Sequence, residues 1–381
     1  MAGRVKPALL IMEDWKYCVE ILPKVSRTFA LNISVLKGNI HKSILVAYLF
    51  CRAIDTVEDA AKLEGPDKIA LLLNFASLLK NTTDREYSLN QWIKNITIVD
   101  GSPSDLDLLR NTQRVFNVFE SLKNSHKQHI ISSVCKMAQG MAYFQKKNNS
   151  KQANLIENAE ELEEYCYFVA GVVGEMLCNL FIEEISGLST VNKKIMRNTA
   201  VSFGLGLQIT NISKDIVADR GRGWSYVPLS YIEANGLTFE EFHAGKSTEK
   251  DLKVLENLLN KTVGHLNDAF DFILAIPKSY MRIRLFCIWP LWMAMKTVAE
   301  LHKNHDLLKS NANVKISRKT VKQILRRTPF ICWSDSLLRR SFKKILKDKE
   351  FTEPEHFDLN KLKQRLKKLA LDDLSHKPQE A

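Results

Sequence analysis

The stretch Arg52-Ala53-Ile54-Asp55-Thr56-Val57-Glu58-Asp59 follows the apolar run Ile44–Phe50 and reads as the end of a single helix. At helical pitch Asp55, Glu58 and Asp59 stand at i, i+3 and i+4, so their carboxylates share one face. Three like charges this close repel one another, and a purely structural helix gains nothing from them. A hard divalent cation resolves the conflict, because Mg²⁺ takes carboxylate and phosphate oxygens together. The plainer reading is an exposed acidic face.

A second polar stripe lies about 150 residues further on. Gln208, Asn211, Asp215 and Asp219 fall at i, i+3, i+7 and i+11 beside the apolar run Val201–Leu207. Polar groups along a buried helix face need partners. Two acidic helices facing each other across a cavity suit metal ions that bridge a diphosphate. Cations stand beside each set: Arg52 by the first, and Lys214, Arg220 and Arg222 by the second. They either pair with the acids or bind leaving phosphate. A third feature is Tyr165-Cys166-Tyr167-Phe168-Val169-Ala170-Gly171-Val172-Val173-Gly174, apolar with a hydroxyl at its edge. Each glycine inside a helix costs about 1 kcal/mol against alanine. Close approach of a ligand or of a neighbouring helix accounts for them equally well.

Helical periodicity runs through the rest of the chain. Candidate helices cover 13–24, 40–63, 67–80, 104–122, 125–147, 158–187, 190–219, 248–275, 281–304, 317–327 and 333–348. Gly65-Pro66 reads as the stop of one helix, Ser104 as a cap, and Pro277 as the end of the long helix before Met281. With 381 residues, 45% apolar and 26% charged, and only 15 Gly and 10 Pro, the chain is neither disordered nor collagen-like nor built of many short strands. It reads as all-α, one helical domain over 1–349 and a charged tail over 350–381. In the tail, 359–371 is amphipathic enough for a surface helix or is loose.

Seven scattered cysteines without a CxxC pair point to reduced, buried thiols in the cytosol. The N-terminal MAGRVKPALLIMEDW is no signal peptide, since Glu13 and Asp14 break its short apolar stretch. The longest apolar runs, Tyr165–Gly174 and Leu285–Met295, fall short of the roughly 20 residues that span a bilayer. The net charge is +12, and residues 315–349 alone carry twelve Lys or Arg against Asp335 and Asp348. Such a patch suits anionic lipid or nucleic acid, or is a solvated face.

Four motifs in one order decide among these. Ser26-Arg27-Thr28-Phe29, Arg52-x-x-Asp55-x-x-Glu58-Asp59, the Tyr165 segment and Gln208-x-x-Asn211-x-x-x-Asp215-x-x-x-Asp219 resemble the squalene and phytoene synthase family over residues 15–300. The resemblance implies a class I isoprenoid synthase-like helical bundle around a central apolar cavity. It also implies a prenyltransferase that joins two prenyl diphosphates head to head with Mg²⁺. By the same resemblance, Asp55, Glu58, Asp59, Asn211, Asp215 and Asp219 would bind metal. Ser26, Arg27, Arg52, Lys214 and Arg222 would hold diphosphate, with Gln208 in the same stripe. Tyr165 would stand by the departing diphosphate, and Phe29, Val169 and Val173 would line the prenyl channel. The chain departs from the family where Ala218 replaces a Glu of the second motif, and where Lys214 stands in place of a frequent Arg.

Leu285–Met295 resembles the corresponding helix of squalene synthases, whereas 210–215 and 220–228 resemble bacterial members. The expectation is therefore farnesyl diphosphate to squalene with NADPH as reductant, in a cytoplasmic monomer peripheral to the inner face of the membrane. No dinucleotide fingerprint marks an NADPH site; Gly204-Leu205-Gly206 lies inside a helix and follows no strand. The alternatives are a phytoene or dehydrosqualene synthase needing no reductant, and a non-catalytic respiratory complex assembly factor of the same fold. A terpene cyclase or chain elongator lacks the Tyr165 and Ser26 motifs. A nucleic-acid binder leaves the two acidic stripes unexplained. The basic segment 315–349 is the expected contact with anionic lipid.

Overall fold

Every regular element is helical, and there is no β-strand among the described residues, which are 8–148, 156–309, 314–352, 357–369 and 371 of a computed structural model. The N-terminal seven residues and 372–381 of the tail, on which two of the expectations above bear, lie outside them. The helices are α1 (Ala8–Val25), α2 (Arg27–Ser34), α3 (Gly38–Asp59), α4 (Gly65–Lys80), α5 (Arg85–Asn95), α6 (Pro103–Arg110), α7 (Thr112–Glu120), α8 (Asn124–Asn148) and α9 (Ala159–Cys166). A π-helical turn, Tyr167–Gly171, leads into α10 (Val172–Glu184). Then follow α11 (Thr190–Gly221), α12 (Leu229–Ala234), α13 (Phe239–His243), α14 (Glu249–Ala275), α15 (Met281–Leu301), α16 (Arg318–Arg327), α17 (Asp335–Ile345) and α18 (Leu359–Leu366).

Among the described residues two compact units emerge: one within 8–146 together with 179–184 and 371, the other within 147–178 and 185–369. In the first, Phe50 of α3 is the centre of an aromatic cluster. Its ring lies 4.8 Å from Phe116, 5.5 Å from Phe119 and 5.7 Å from Phe75. All four are buried, so α3 is held from both α4 and α7. In the second unit α11 and α14 pack along most of their length. A Cβ on Gly206 would come within 2.9 Å of the Leu266 side chain and 3.3 Å of the His265 backbone, so glycine lets the two helices approach closely there. Ser202 donates a part-buried hydrogen bond to Asp268 at 2.7 Å across the same pair.

Most expected helices form, and the differences have local causes. Gly65-Pro66 does not stop α3; it starts α4, with proline in the first turn where no N–H is needed. The preceding helix ends earlier, at Asp59, where Ala60 turns to ψ 119°. The expected 104–122 helix is two helices broken at Asn111, whose amide donates back to the Asp107 carbonyl at 3.0 Å. Its cap is Ser102, not Ser104: the Ser102 hydroxyl accepts from Asp105 N, and Pro103 occupies the first helical position. Four short helices were not expected. In α5 only Leu89 and Trp92 are buried, too few for a periodic signal.

All seven cysteines are free and buried. The continuous helical run Ala159–Glu184 is long and apolar enough to cross a membrane by length and composition, yet 61% of its apolar window is buried. It also carries Glu161 and Glu163, both buried, as a packed core helix can and a lipid-facing one does not.

Candidate active site

In the first unit the site is built on the last two turns of α3. Asp55 is half-buried, Glu58 buried and Asp59 exposed. Burial, then repulsion from Asp59, pushes the Asp55 carboxyl up to about 7, with Arg52 pulling the other way. Glu58 is pushed up to about 8 by burial and by both aspartates; Lys68 and a hydrogen bond from Gln145 oppose this. The conflict expected from the spacing is therefore present in the fold. Lys68, itself buried, donates to the Glu58 carbonyl at 2.7 Å and satisfies one free end of α3.

Arg52 does not stand free to meet a ligand with its whole fork. Its Nε and Nη2 donate to Asp105 Oδ1 and Oδ2 at 2.8 and 2.9 Å, a bidentate pair. Asp105 is buried, and its carboxyl is held below the usual range by that guanidinium and by Ser102. Ser26 caps α2, accepting from Phe29 N at 3.3 Å, while Arg27 and Phe29 are exposed. Tyr48 joins α2 to the carboxylate face. It hydrogen-bonds Ser26, its ring lies 4.9 Å from Phe29, and burial raises its hydroxyl to about 12. Sequence reasoning passed over Tyr48, although it sits one helical turn before Arg52. It also passed over the role of Asp105, 53 positions from Arg52, for which no local signal exists.

In the second unit Tyr165 and Asp219 are the ends of one stacked series. Tyr165 stacks on Tyr226 at 4.8 Å, and Tyr226 meets Trp224 edge-on at 6.4 Å. Arg222 covers Trp224 at 4.7 Å and its Nη2 bonds Asp219 Oδ1 at 2.5 Å. The Trp224 backbone N–H also donates to the Asp219 backbone carbonyl at 2.9 Å. Asp219 is buried, Asp215 and Gln208 are half-buried, and Asn211 is exposed. Lys214 pairs with Asp215. Ala218 is exposed, so a longer acid there would point toward solvent and not into the core.

For Gly171 and Gly174 the structure selects helix packing. A Cβ on Gly174 would fall 2.1 Å from the Ala200 carbonyl oxygen, and one on Gly204 2.3 Å from that of Ala170. The π turn Tyr167–Gly171 and α10 thus lie backbone to backbone on α11. Val169 and Val173, one turn apart, are both left half-exposed. Tyr165 is further fixed by its neighbours: Arg365 of α18 bonds Glu164 at 2.9 Å and Glu163 at 2.6 Å, and Lys261 bonds Glu163 at 2.5 Å.

Among the described residues no three His, Cys, Asp or Glu converge on a ready-made metal site. The donor sets are hard oxygens, two or three to a helix face, with raised carboxyl pKa values on α3. That fits a cation such as Mg²⁺, which holds one or two carboxylates and takes its remaining oxygens from substrate phosphate and water.

The family profile described as Squalene/phytoene synthase matches residues 22–320. A squalene synthase of Candida albicans is 31% identical over 315 residues, covering 81% of this chain and 66% of its own length. That of Mus musculus is 28% identical over 301 residues, covering 79% and 67%. The chain thus spans about two thirds of the length of these relatives. Among solved structures, the complex of TcSQS with the ligand BPH1237 superposes with a TM-score of 0.72 at 23% identity, over 96% of this chain and 100% of that one. A dehydrosqualene synthase in complex with ligand gives 0.56 at 22% identity, over 89% and 98%. These likenesses show the isoprenoid synthase helical fold. With four motifs in register and a family match over most of its length, the chain belongs to the squalene/phytoene synthase family.

Proposed function

We propose that this chain is a prenyltransferase that condenses two farnesyl diphosphates head to head, through presqualene diphosphate, to squalene, with release of diphosphate and with NADPH as reductant. The observation that carries the reading is the α3 face. Asp55 and Glu58 are held with carboxyl groups raised to about 7 and 8, an arrangement that costs stability and is relieved by a bound cation. The squalene synthases among its relatives favour the squalene product.

In this reading Asp55, Glu58 and Asp59 would hold Mg²⁺, and so would Asn211, Asp215 and Asp219. Bound there, Mg²⁺ would supply charge neutralisation for the diphosphate that leaves when the allylic C–O bond ionises. Arg52 keeps part of its guanidinium for phosphate while Asp105 fixes its orientation. Lys214 and Arg222 hold phosphate in exchange for their present carboxylate partners, and Ser26, Arg27 and Gln208 add polar contacts. Tyr165, fixed by stacking on Tyr226, orients the departing diphosphate through its hydroxyl. Val169, Val173 and Phe29 cover the prenyl chains and keep water from the carbocation, whose charge aromatic faces stabilise. The second double bond attacks C1 and a proton is lost, closing the cyclopropane. A second ionisation, rearrangement and hydride transfer complete the product. No residue of this chain is assigned to NADPH.

The helical body to about residue 349 carries this chemistry. We place it in the cytoplasm as a monomer without a nucleic-acid partner, at the inner face of the membrane that receives so apolar a product. The test is product analysis of the purified protein with farnesyl diphosphate and Mg²⁺, with and without NADPH. Squalene formed only with NADPH is the expected result. Dehydrosqualene or presqualene diphosphate in both tubes overturns the reductive step. Turnover of geranylgeranyl diphosphate alone makes the chain a phytoene synthase. Activity in cells that survives Asp55→Ala makes it a non-catalytic scaffold.

A further inference from the structure

The segment of α16, its following turn and α17 packs on α15 in the second unit and has two faces of opposite character. Ile324, Leu338 and Phe342 are buried beneath it. Its outer face is cationic: of the twelve Lys and Arg over 315–349, all but Lys349 are exposed. Among the described residues none of the twelve is in an ion pair, so the field is not neutralised locally. Between the helices, the turn 328–334 projects Phe330 and Trp333 at 76% and 55% exposure, and Leu337 follows at 39%. An ordinary solvated face carries charge alone. Two large exposed aromatics in the middle of unpaired cations are a different pattern.

The turn is firmly mounted. Arg284 of α15, 1% exposed, donates to the Cys332 carbonyl at 2.9 Å and pairs with Asp335 at 2.8 Å. Trp289 donates to the Thr328 hydroxyl at 2.8 Å, and the Trp333 ring N–H is satisfied by the Phe330 carbonyl, also at 2.8 Å. The two exposed rings therefore stay out because their backbone is held, and Trp333 has no buried polar atom left to pair. Arg327 stands three residues from Phe330, so their Cα atoms are at most about 11 Å apart. That keeps the cation and the ring within the depth that separates headgroup phosphates from the upper acyl region into which interfacial side chains reach.

We propose that the turn 328–334 is a membrane wedge: Phe330, Trp333 and Leu337 enter the interface of an anionic bilayer while Arg326, Arg327, Arg339, Arg340 and the lysines of α17 pair with its phosphate headgroups. Charge complementarity selects an anionic surface, and the exposed rings favour lipid over a nucleic-acid duplex, whose base faces are stacked inside. The assignment deepens the membrane placement proposed above, and its test needs no substrate.

The full-length protein is sedimented with vesicles of phosphatidylcholine containing 30% phosphatidylglycerol (about that fraction suffices for a negative surface potential), with pure phosphatidylcholine vesicles and a duplex oligonucleotide as the other arms. Binding to anionic vesicles only, weakened by salt, with a blue shift in tryptophan emission that Trp333→Ala removes, is the expected result. Phe330→Ala with Trp333→Ala weakens binding roughly tenfold or more. Arg339→Glu with Arg340→Glu abolishes it in the salt-sensitive range. Turnover of farnesyl diphosphate in detergent stays unchanged in all of these variants. Absence of binding at low salt, equal binding by the aromatic double variant, or preference for the oligonucleotide overturns the wedge. None of those outcomes bears on whether the protein makes squalene.

Discussion

Arg52 and Asp105 face each other through two parallel hydrogen bonds of 2.8 and 2.9 Å, joining the carboxylate helix α3 to the N-terminus of α6. The residue expected to meet diphosphate is thereby oriented by a partner that is buried and capped by Ser102. Asp105→Asn keeps the shape but leaves the guanidinium without its counter-charge. The expected loss is about 2 kcal/mol in urea unfolding. Arg52→Lys keeps the charge but loses the fork, so it lowers the rate while leaving binding of the neutral product unchanged.

The carboxyl groups of Asp55 and Glu58 sit well above the unfolded values of 3.8 and 4.5. Between about pH 4 and pH 8 the folded protein therefore holds more protons than the unfolded chain. The contribution of these groups to stability is complete below about pH 4 and is lost as pH rises through the folded values near 7 and 8. Thermal melts across that range should show Tm falling with pH, less steeply in Asp55→Asn and Glu58→Gln. Mg²⁺ binds the ionised forms, so the Tm it restores should be larger at pH 8 than at pH 5.

At Gly174 a methyl group would collide with backbone, 2.1 Å from the Ala200 oxygen, and backbone cannot rotate away. Gly174→Ala is expected to cost about 2 kcal/mol or more, or to prevent folding. Gly221, with nothing within 4 Å of a Cβ, is the control. Gly221→Ala should be neutral or stabilising by about 0.5 kcal/mol. Chemical denaturation of the two variants side by side reads the difference.

Ala218 is exposed one turn after Asp215 and next to Asp219. Ala218→Glu adds a third carboxylate to the second acidic face without steric cost. The Mg²⁺ concentration for half-maximal turnover should fall by roughly three- to tenfold, with Tm nearly unchanged. A magnesium titration of initial rate measures it.

Much of this was legible in one dimension. Asp55, Glu58 and Asp59 are linked by helical pitch alone, and burial turned the expected repulsion into raised pKa values. The stripe from Gln208 to Asp219 lies on one long helix, as its spacing requires. The turn chemistry was harder. Gly65-Pro66 is compatible with either end of a helix, and only the backbone direction made it a start. Tyr48 was hidden because its partners Ser26 and Phe29 lie on another helix.

Sequence alone determined which side chains share a helix face, because a period of 3.6 residues sets those neighbours wherever a helix forms. It determined the family as well, because four motifs hold their order and spacing. Tertiary packing decided the rest. It gave Arg52 to Asp105, stacked Tyr165 on Tyr226, and assigned Gly174 to the backbone of α11 instead of to a ligand. It also left Phe330 and Trp333 outside, since a buried arginine holds their turn in place. These are contacts between residues tens of positions apart. Their energies come from burial and hydrogen bonding between helices, and no local pattern along the chain encodes them.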